Sequence, residues 1–288
     1  MQRVALLGLG IMGSGMAANW ASKGFPLSVY NRTRSKAEPF AAQGARVADT
    51  PRQAAEDADI IVAMVGDDPA SRAVWLGDDG ALAGAQPGAV LVECSTLTPD
   101  WVLELAERAR AQGCAFLDAP VTGSKAAAAG GQLNLFVGGE AATLDKSRPA
   151  LEAISKQINH MGPVGMGATW KLIINMMTAA HLAVLAEGLA LAEKKGFDLQ
   201  QIAPLILNGP SGSPVIQMKM PRVTERRYDD TDFSLRWMLK DVRYALALAE
   251  KCGLQLKTAQ ATAEVYQQAS EQGLNDLDFA SVVESLRE

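Results

Sequence analysis

The segment Val4-Ala5-Leu6-Leu7-Gly8-Leu9-Gly10-Ile11-Met12-Gly13 decides the fold of the first half of this 288-residue chain. An apolar run typical of a buried strand, Val4–Leu9, leads into a GxGxxG pattern, and a helical pattern follows over Ser14–Lys23. In that context the first glycine makes a tight turn, the second admits a pyrophosphate, and the third lets helix and strand pack closely. A purely structural turn is the alternative. We predict a dinucleotide phosphate site at the start of the helix, formed by Gly8, Leu9, Gly10, Ile11, Met12 and Gly13.

Short apolar runs continue to alternate with helical patterns through the first half of the chain. Further strands are predicted at Leu27–Tyr30, Ile60–Val65, Val90–Cys94, Ala115–Leu117 and Leu135–Val137, and a helix at Lys36–Gln43. This alternation predicts an α/β domain, a doubly wound parallel sheet of the Rossmann type.

The pattern changes at Gly162-Pro163. From Gly167 to Lys195 there is no proline and one internal glycine, which predicts a helix of about 40 Å. The segment from Leu199 to Arg287 has helical periodicity and no convincing strand. We therefore predict a dinucleotide-binding domain over residues 1–163 and an all-helical domain for substrate binding and oligomerisation over residues 164–288, which begins with the long helix 167–195.

The long helix is apolar on nearly every face, which predicts burial between domains or at a subunit interface and hence a homodimer or homotetramer. A transmembrane span is the alternative. Lys171 and Glu187, however, bracket only fifteen residues, and Asn175 and His181 lie among them. This spacing argues against a membrane partner.

Composition excludes several other classes of protein. The net charge of −5 argues against nucleic acid as the main partner, because phosphate binding needs a concentrated positive surface. The three cysteines, Cys94, Cys114 and Cys252, form no disulfide framework, and the N-terminus has no signal-peptide pattern, so we expect a cytoplasmic protein with reduced thiols. The presence of only two histidines, His160 and His181, argues against a histidine-based metal site and against a Ser-His-Asp triad, and we expect no metal.

The end of the second predicted strand indicates which dinucleotide binds. NAD sites usually place an acidic residue there to bind the ribose 2′-hydroxyl, whereas this chain has Asn31-Arg32-Thr33. A guanidinium suits a 2′-phosphate. We predict NADP, with NADPH preferred over NADH and with contacts from Asn31, Arg32 and Thr33. The alternative is that Arg32 is a solvated surface charge and that NAD binds without the acidic residue. Arg34 and Lys36 add less specific positive charge.

Two further segments carry candidate chemistry. Asp118-Ala-Pro-Val-Thr-Gly-Ser124 is a turn of small residues whose N–H groups can hold a carboxylate, although a structural turn fits equally well. In Gly165-Met-Gly167-Ala-Thr-Trp-Lys171-Leu-Ile-Ile-Asn175, the lysine and the asparagine lie four residues apart on one helical face. Lys171 is then either a snorkelling surface lysine or a general acid, because burial and the helix dipole favour an amine that exchanges its proton.

Four segments together resemble the β-hydroxyacid dehydrogenase family, which includes 3-hydroxyisobutyrate dehydrogenases and glyoxylate/succinic semialdehyde reductases. They are GLGIMGSGMA from Gly8, DAPVTGS from Asp118 with its trailing AxxGGQL, GxGxxxKxxxN from Gly165, and Lys240-Asp241. Their order and spacing match the family over essentially the whole chain.

The resemblance implies a role for each matching position. Lys171 matches the catalytic lysine and Asn175 its orienting partner, and Thr122, Gly123 and Ser124 match the loop that holds the substrate carboxylate. The resemblance places Val65, Gly66, Thr96 and Lys240 beside the cofactor, and Phe233 and Asp241 near the substrate. It therefore implies an oxidoreductase that moves a hydride between a nicotinamide and a small hydroxy or oxo acid.

Two departures from the family pattern bear on the substrate. Thr122 stands where serine is frequent, and Ser124-Lys125 resembles the glyoxylate/succinic semialdehyde reductase branch more than the usual 3-hydroxyisobutyrate form. Together with Asn31-Arg32-Thr33, they favour an NADPH-driven reductase. The alternatives are oxidation of 3-hydroxyisobutyrate or another β-hydroxy acid, and a non-catalytic NADP-binding protein. Lys171 argues against this last alternative and against an imine reductase, a class in which that lysine is commonly replaced.

Overall fold

The computed structural model describes residues 1–287 and divides into two compact units. Unit 1 is Met1–Lys171, and unit 2 begins at Leu172. The boundary falls inside the long helix, eight residues beyond the predicted 163/164 boundary. The first turn and a half of the helix, including Lys171, therefore belongs to the sheet-containing unit.

Unit 1 alternates strands and helices. Its elements are β1 (Val4–Leu7), α1 (Ile11–Ser22), β2 (Leu27–Tyr30), α2 (Glu38–Ala41), β3 (Arg46–Val47), α3 (Pro51–Ala55), β4 (Ile60–Ala63), α4 (Asp68–Leu76), α5 (Ala81–Gly84), β5 (Val90–Glu93), α6 (Pro99–Ala111), β6 (Ala115–Asp118), β7 (Val121–Thr122), α7 (Lys125–Ala129), β8 (Leu133–Gly139), α8 (Ala141–Glu152), β9 (Ser155–Gly162) and the start of α9 (Met166–Lys194).

These strands form one sheet in the order β3-β2-β1-β4-β5-β6-β8-β7, and β9 pairs with β8. The first six strands of that order are parallel, whereas β8 runs antiparallel to β6 and to β7. The chain therefore has the predicted α/β class with a Rossmann-type parallel sheet. The reversal at β8 departs from the all-parallel expectation, and it follows the bend that Gly130-Gly131 introduces.

The sequence explains why the central strands lie inside. All residues of β1, β4 and β5 are buried, as expected for parallel strands covered on both faces. One face packs against Met16 and Trp20 of α1, and the other against Trp75 of α4 and Trp101 of α6. Two separate apolar layers thus sandwich the sheet.

Several predicted boundaries shift by a few residues. Helix α1 starts at Ile11 rather than Ser14, because its first turn includes the end of the glycine pattern. The predicted helix over Lys36–Gln43 is a 3₁₀ turn, Arg34–Lys36, followed by the short α2, which has a proline in its first turn. The long helix, expected at 167–195, is α9 at Met166–Lys194.

Unit 2 is helical, as predicted. After α9 it contains α10 (Leu199–Asn208), α11 (Pro214–Glu225), α12 (Leu235–Lys251), α13 (Lys257–Glu271) and a 3₁₀ segment, Phe279–Leu286. Its core includes an ion pair in which Lys219 Nζ lies 2.7 Å from Asp278 and 3.3 Å from Asp232. Burial acts to raise the pKa of Asp232, but the Lys219 ammonium and the Arg222 guanidinium outweigh it and hold that pKa below its ordinary value.

Helix α9 is long and apolar enough to cross a membrane by length and composition alone, and 44% of its most apolar window is buried. Leu182 and Leu189 belong to the core of unit 2, as in the core helix of a globular domain. The helix was predicted to be buried between domains or at a subunit interface, and one of its apolar faces is not covered within one chain. Met177, Val184 and Leu191 follow one another at seven-residue spacing, and all three are exposed in the single chain.

Candidate active site

The carboxyl ends of five parallel strands form a single row across unit 1. The register joins Tyr30 to Leu7, Leu7 to Ala63, Ala63 to Glu93 and Glu93 to Asp118. With about 4.8 Å between neighbouring strands, the row spans about 19 Å. Ligands of doubly wound sheets bind outside this edge. All the residues that the sequence predicts as cofactor or carboxylate contacts in unit 1 follow one of these strand ends within six residues.

The glycine turn after β1 has the geometry that a pyrophosphate requires. Gly8 has φ +107°, and a Cβ there would lie 2.3 Å from the Met64 carbonyl oxygen. A Cβ on Gly13 would lie 2.0 Å from the Gly8 carbonyl oxygen. A Cβ on Gly10 would meet no atom within 4 Å. The first and third glycines are therefore required by the protein itself, whereas the second leaves open space at the start of α1, where a phosphate fits.

The loop after β2 divides its polar groups between structure and binding. Asn31 Oδ1 accepts a hydrogen bond from the Leu9 N–H at 2.9 Å, and Asn31 Nδ2 donates to the Thr33 carbonyl oxygen at 2.9 Å. Asn31 thus ties this loop to the glycine turn. Arg34 pairs with Asp49 and Glu38. Arg32 is exposed, and its guanidinium makes no ion pair within residues 1–287, so it is available to an anionic group of a bound dinucleotide.

The loops after β4 and β5 are joined to each other. The Val65 N–H donates to Ser95 Oγ at 2.8 Å, and the Thr98 N–H donates to Asp68 Oδ1 at 3.0 Å. Gly66 and Thr96, predicted beside the cofactor, lie in these loops and are half-buried. Two of the predicted cofactor segments therefore form one connected surface at the sheet edge.

Asp118 attaches the start of helix α9 to the end of β6. Its Oδ1 accepts a hydrogen bond from the Gly165 N–H at 2.8 Å, and its Oδ2 accepts one from the Ala168 N–H at 2.8 Å. The side chain is fully buried, and burial raises the pKa of Asp118 while these backbone hydrogen bonds act in the opposite direction. The carboxylate supplies the free N–H groups at the helix start with an acceptor and complements the helix dipole.

Neighbouring glycines make room for this carboxylate. A Cβ on Gly138 would lie 2.4 Å from Asp118 Oδ1, and one on Gly167 would lie 2.2 Å from the Phe136 carbonyl oxygen and 2.9 Å from Asp118 Oδ2. Lys171 lies one turn beyond this attachment and is only 8% exposed. The geometry thus makes Lys171 a largely buried lysine on a helix fixed to the sheet edge, in contrast to a snorkelling surface lysine.

The predicted carboxylate loop follows Asp118 directly. Thr122 ends β7, Gly123 has φ +144°, and Ser124 Oγ accepts a hydrogen bond from the Ala127 N–H at 3.2 Å. A Cβ on Gly123 would lie 3.0 Å from the Ala127 Cβ, so the turn needs glycine. Because one residue, Asp118, ends β6, precedes this loop and holds α9, the loop and the lysine helix share an anchor.

In unit 2, Asp241 orients Asn175. Asn175 Nδ2 donates to Asp241 Oδ2 at 2.6 Å, and Lys240 Nζ lies 3.0 Å from Asp241 Oδ1 in an ion pair without full hydrogen-bond geometry. Asp241 is fully buried, and a carboxylate can only accept. One N–H of the Asn175 amide is therefore donated to Asp241, and its Oδ1 can act only as an acceptor. Asp241 was predicted near the substrate, and within unit 2 its carboxylate is occupied by Asn175 and Lys240.

Phe233, also predicted near the substrate, is half-buried and packs edge-on against Phe279 with ring centroids 6.1 Å apart. Two buried acids that organise unit 1, Asp118 and Glu93, were not predicted from the sequence as site residues. An acidic residue as the last residue of an otherwise apolar strand was the available signal in both cases.

Comparison with known proteins decides the family. A family model described as the NAD binding domain of 6-phosphogluconate dehydrogenase matches residues 3–162. A second model, described as NAD-binding of NADP-dependent 3-hydroxyisobutyrate dehydrogenase, matches residues 165–286. The chain belongs to the β-hydroxyacid dehydrogenase family. As a member of this family it is an oxidoreductase that acts on hydroxyl groups with a nicotinamide cofactor.

Relatives within the family differ in what they are named for. Glyoxylate/succinic semialdehyde reductase 1 of Arabidopsis thaliana is 33% identical over 284 residues, which are 99% of this chain and 98% of that protein. NAD-dependent L-serine dehydrogenase of Pseudomonas aeruginosa is 35% identical over 301 residues, with 99% and 98% covered. The structure of Mycobacterium tuberculosis 3-hydroxyisobutyrate dehydrogenase with L-serine is similar over 100% of both chains, at a TM-score of 0.89 and 29% identity. The family is therefore established, whereas its members act on different substrates.

Proposed function

We propose that this β-hydroxyacid dehydrogenase reduces a short aldehyde or keto acid with NADPH, and that Lys171 is the general acid. The observation that carries the proposal is the attachment of α9 by Asp118. It holds the lysine helix at the same sheet edge that bears the glycine turn and the Thr122–Ser124 loop. The binding surfaces of cofactor and carboxylate and the proton donor are thus all built on unit 1.

When bound, the nicotinamide cofactor would supply the hydride, and the residues that would hold it are those of the glycine turn and of the loops after β2, β4 and β5. The chain's own residues hold the substrate and move the proton. The turn of Thr122, Gly123 and Ser124 offers N–H and hydroxyl groups to the substrate carboxylate. Lys171, as an ammonium, donates its proton to the carbonyl oxygen as negative charge develops there, and it takes the proton back in the oxidative direction. Asn175 matches the family's orienting residue, and because its amide nitrogen donates to Asp241, its Oδ1 is the atom that can accept a hydrogen bond.

The assignment of NADP rests on the loop after β2. Its candidate contacts are neutral except for Arg32, whose guanidinium has no carboxylate partner within residues 1–287, while the neighbouring Arg34 is paired with two acids. An unpaired arginine fork matches a phosphate dianion in charge and geometry. No acidic residue stands at the end of β2 to bind a 2′-hydroxyl.

The substrate class is tested with initial rates over a panel. NADPH and NADH oxidation is followed with glyoxylate, succinic semialdehyde, methylmalonate semialdehyde and tartronate semialdehyde. The reverse reaction is followed with 3-hydroxyisobutyrate and L-serine. The proposal predicts the highest kcat/KM for NADPH with an oxo acid. A clear preference for NAD and a hydroxy acid would assign the chain to oxidation instead. Tight NADPH binding without turnover would favour the non-catalytic alternative.

We also propose that a second copy of this chain covers the exposed face of α9. Met177, His181, Val184, Gly188 and Leu191 are exposed at alternating spacings of four and three residues, which is the spacing of a helix-packing stripe. A two-fold axis would bring this stripe against itself. Light scattering after gel filtration should give a dimer or tetramer mass for the wild type, and Val184→Glu should lower it. A monomeric wild type would refute the proposal.

A further inference from the structure

Glu93 is a fully buried acid that the proposed reaction does not use. It is the last residue of β5, at the sheet edge. Its Oε2 accepts hydrogen bonds from Ser71 Oγ at 2.6 Å and from Trp75 Nε1 at 2.8 Å. Its Oε1 accepts one from the Ser95 N–H at 2.9 Å. Both oxygens are therefore engaged, by residues from two different parts of the chain.

These contacts lead to the two ends of one loop. Ser71 and Trp75 lie on α4, whose start follows Val65-Gly66 directly. On the other side, Ser95 Oγ accepts the hydrogen bond from the Val65 N–H at 2.8 Å. The segment 64–68, which we call the β4 loop, is thus held at its start through Ser95 and at its end through α4, with Glu93 between them.

Glu93 also holds the neighbouring segment. The segment 94–98, which we call the β5 loop, contains Thr96 and begins immediately after Glu93. Its Ser95 N–H is bound by Glu93, and its Thr98 N–H donates to Asp68 at the end of the β4 loop. The two loops that carry the predicted contacts Val65, Gly66 and Thr96 are therefore cross-linked, and Glu93 lies on the buried side of both.

Burying the Glu93 carboxylate costs free energy, because the charged group loses its hydration. Burial raises the pKa of Glu93, and the hydrogen bonds from Ser71, Ser95 and Trp75 oppose that shift. Replacing a buried hydrogen-bonded group together with its partners by apolar side chains of the same shape is often neutral for stability, whereas removing one partner alone leaves the others unsatisfied. The feature that an apolar residue could not supply is a fixed connection from α4 to both loops.

We propose that Glu93 is a positioning residue for the nicotinamide cofactor, which acts by fixing the β4 and β5 loops relative to each other through Ser95. The proposal rests on the proposed function, since it takes Val65, Gly66 and Thr96 as cofactor contacts. Glu93 itself touches neither cofactor nor substrate. It fixes the backbone of the two loops that contact the cofactor.

The test compares Ser95→Ala with Ser71→Ala in the full chain. Each variant removes one hydroxyl of the Glu93 network, but only the Ser95 hydroxyl contacts the β4 loop, whereas the Ser71 hydroxyl contacts Glu93 and Trp101. The dissociation constant of NADPH is measured by fluorescence titration, Tm by thermal unfolding, and KM for the best oxo acid at saturating NADPH. We expect Ser95→Ala to raise the dissociation constant about 3- to 10-fold, the effect of one net hydrogen bond. We expect Ser71→Ala to change the dissociation constant less than about 2-fold, with a loss in Tm at least as large, because Trp101 Nε1 also loses its acceptor.

Glu93→Gln is a second test of the proposal, because the glutamine amide nitrogen cannot accept a hydrogen bond from any of the donors that Glu93 binds. We expect more than about 10-fold weaker NADPH binding, with little change in KM for the oxo acid. If Glu93→Gln does not fold, the serine pair alone decides. Equal effects of the two serine variants on NADPH affinity would overturn the proposal by showing a general structural role. Failure of the wild type to bind NADPH or NADH would instead overturn the proposed function on which the assignment of the loops depends.

Discussion

Replacing Asp118 by asparagine tests whether the attachment of α9 serves catalysis. In the wild type, the Gly165 N–H and the Ala168 N–H each donate to one oxygen of the Asp118 carboxylate, at 2.8 Å. In the variant, the asparagine amide offers its oxygen to one of these two N–H groups and turns its NH₂ toward the other N–H group. The loss of a hydrogen bond to a charged acceptor costs about 1.5–3 kcal/mol, and a buried donor left facing a donor adds about 1–3 kcal/mol. The variant also removes a buried charge whose desolvation raises the pKa of Asp118, which offsets part of this cost. We therefore expect Asp118→Asn to lower the free energy of unfolding by about 2–3 kcal/mol.

The kinetic consequence is the more specific one. Because a shift of about 1 Å in a catalytic group can reduce the rate about 100-fold, we expect kcat to fall at least about 10-fold. The dissociation constant of NADPH should stay within about 2-fold, since the glycine turn and Arg32 do not contact Asp118. The assay measures kcat from NADPH oxidation and the dissociation constant by titration, at a temperature at which urea titration shows the variant to be folded.

Asp198→Asn is the matched control. Asp198 Oδ1 accepts the Gln200 N–H at 2.9 Å at the start of α10, on an exposed surface. Asparagine and aspartate are about equal as helix N-caps, so we expect stability within about 0.5 kcal/mol and an unchanged kcat. A folded Asp118→Asn enzyme with wild-type kcat would refute the reasoning, as would a loss of NADPH affinity equal to the loss in kcat.

Three further predictions concern the cofactor site and unit 2. Arg32→Asp should weaken NADPH binding by about 2 kcal/mol and shift preference toward NADH, measured as the ratio of the two kcat/KM values; an unchanged ratio would rule out the 2′-phosphate assignment. Gly13→Ala should lower Tm, because its methyl would lie 2.0 Å from the Gly8 carbonyl oxygen. The methyl of Gly10→Ala meets no protein atom within 4 Å, so this variant should keep its Tm but bind NADPH at least about 10-fold more weakly. Equal Tm values for the two variants would contradict this prediction. Asp232→Asn should remove a stabilisation that is present above the ordinary aspartate pKa of about 4 and is lost as pH falls through the depressed pKa of Asp232. The difference in Tm between wild type and this variant should therefore shrink below about pH 4, and a difference unchanged by acid would show that the ion pairs of Asp232 do not produce it.

Helices and strands with a clear sequence pattern inside one segment were predicted from the sequence. The GxGxxG turn, the strand at Leu27–Tyr30 and the long helix follow from residue type and periodicity within one segment. The strands Arg46–Val47 and Val121–Thr122 were missed because two residues show no periodicity. The strand Ser155–Gly162 was missed because it is polar on both faces and has no buried residue.

The site was predictable where a motif specifies a residue and unpredictable where function depends on a distant partner. Sequence motifs identified Lys171 and Arg32 as candidate site residues. No sequence pattern indicated that Asp118 would accept hydrogen bonds from N–H groups 47 and 50 residues further along the chain. Asn31 was predicted as a cofactor contact, and no sequence signal showed that its amide also joins two loops 22 residues apart. Such contacts are set by the register of the sheet, which a single sequence does not reveal.

The exposed stripe on α9 shows the same limit. Composition predicted an apolar helix, but which of its faces meets the core of unit 2 depends on packing. Leu182 and Leu189 are buried there, while Val184 and Leu191 are each 64% exposed. Helix α9 therefore has more apolar surface than one chain buries, as predicted. The number of subunits stays a prediction.

The kcat of Lys171→Ala, measured together with its affinity for NADPH, tests the central claim most directly. If Lys171 is the general acid, the variant should lose at least about 100-fold in kcat and keep a dissociation constant for NADPH within about 2-fold. Lys171→Arg, which keeps the charge but does not release a proton near neutral pH, should lose nearly as much. A Lys171→Ala enzyme that binds NADPH and turns over an oxo acid at the wild-type rate would contradict the account.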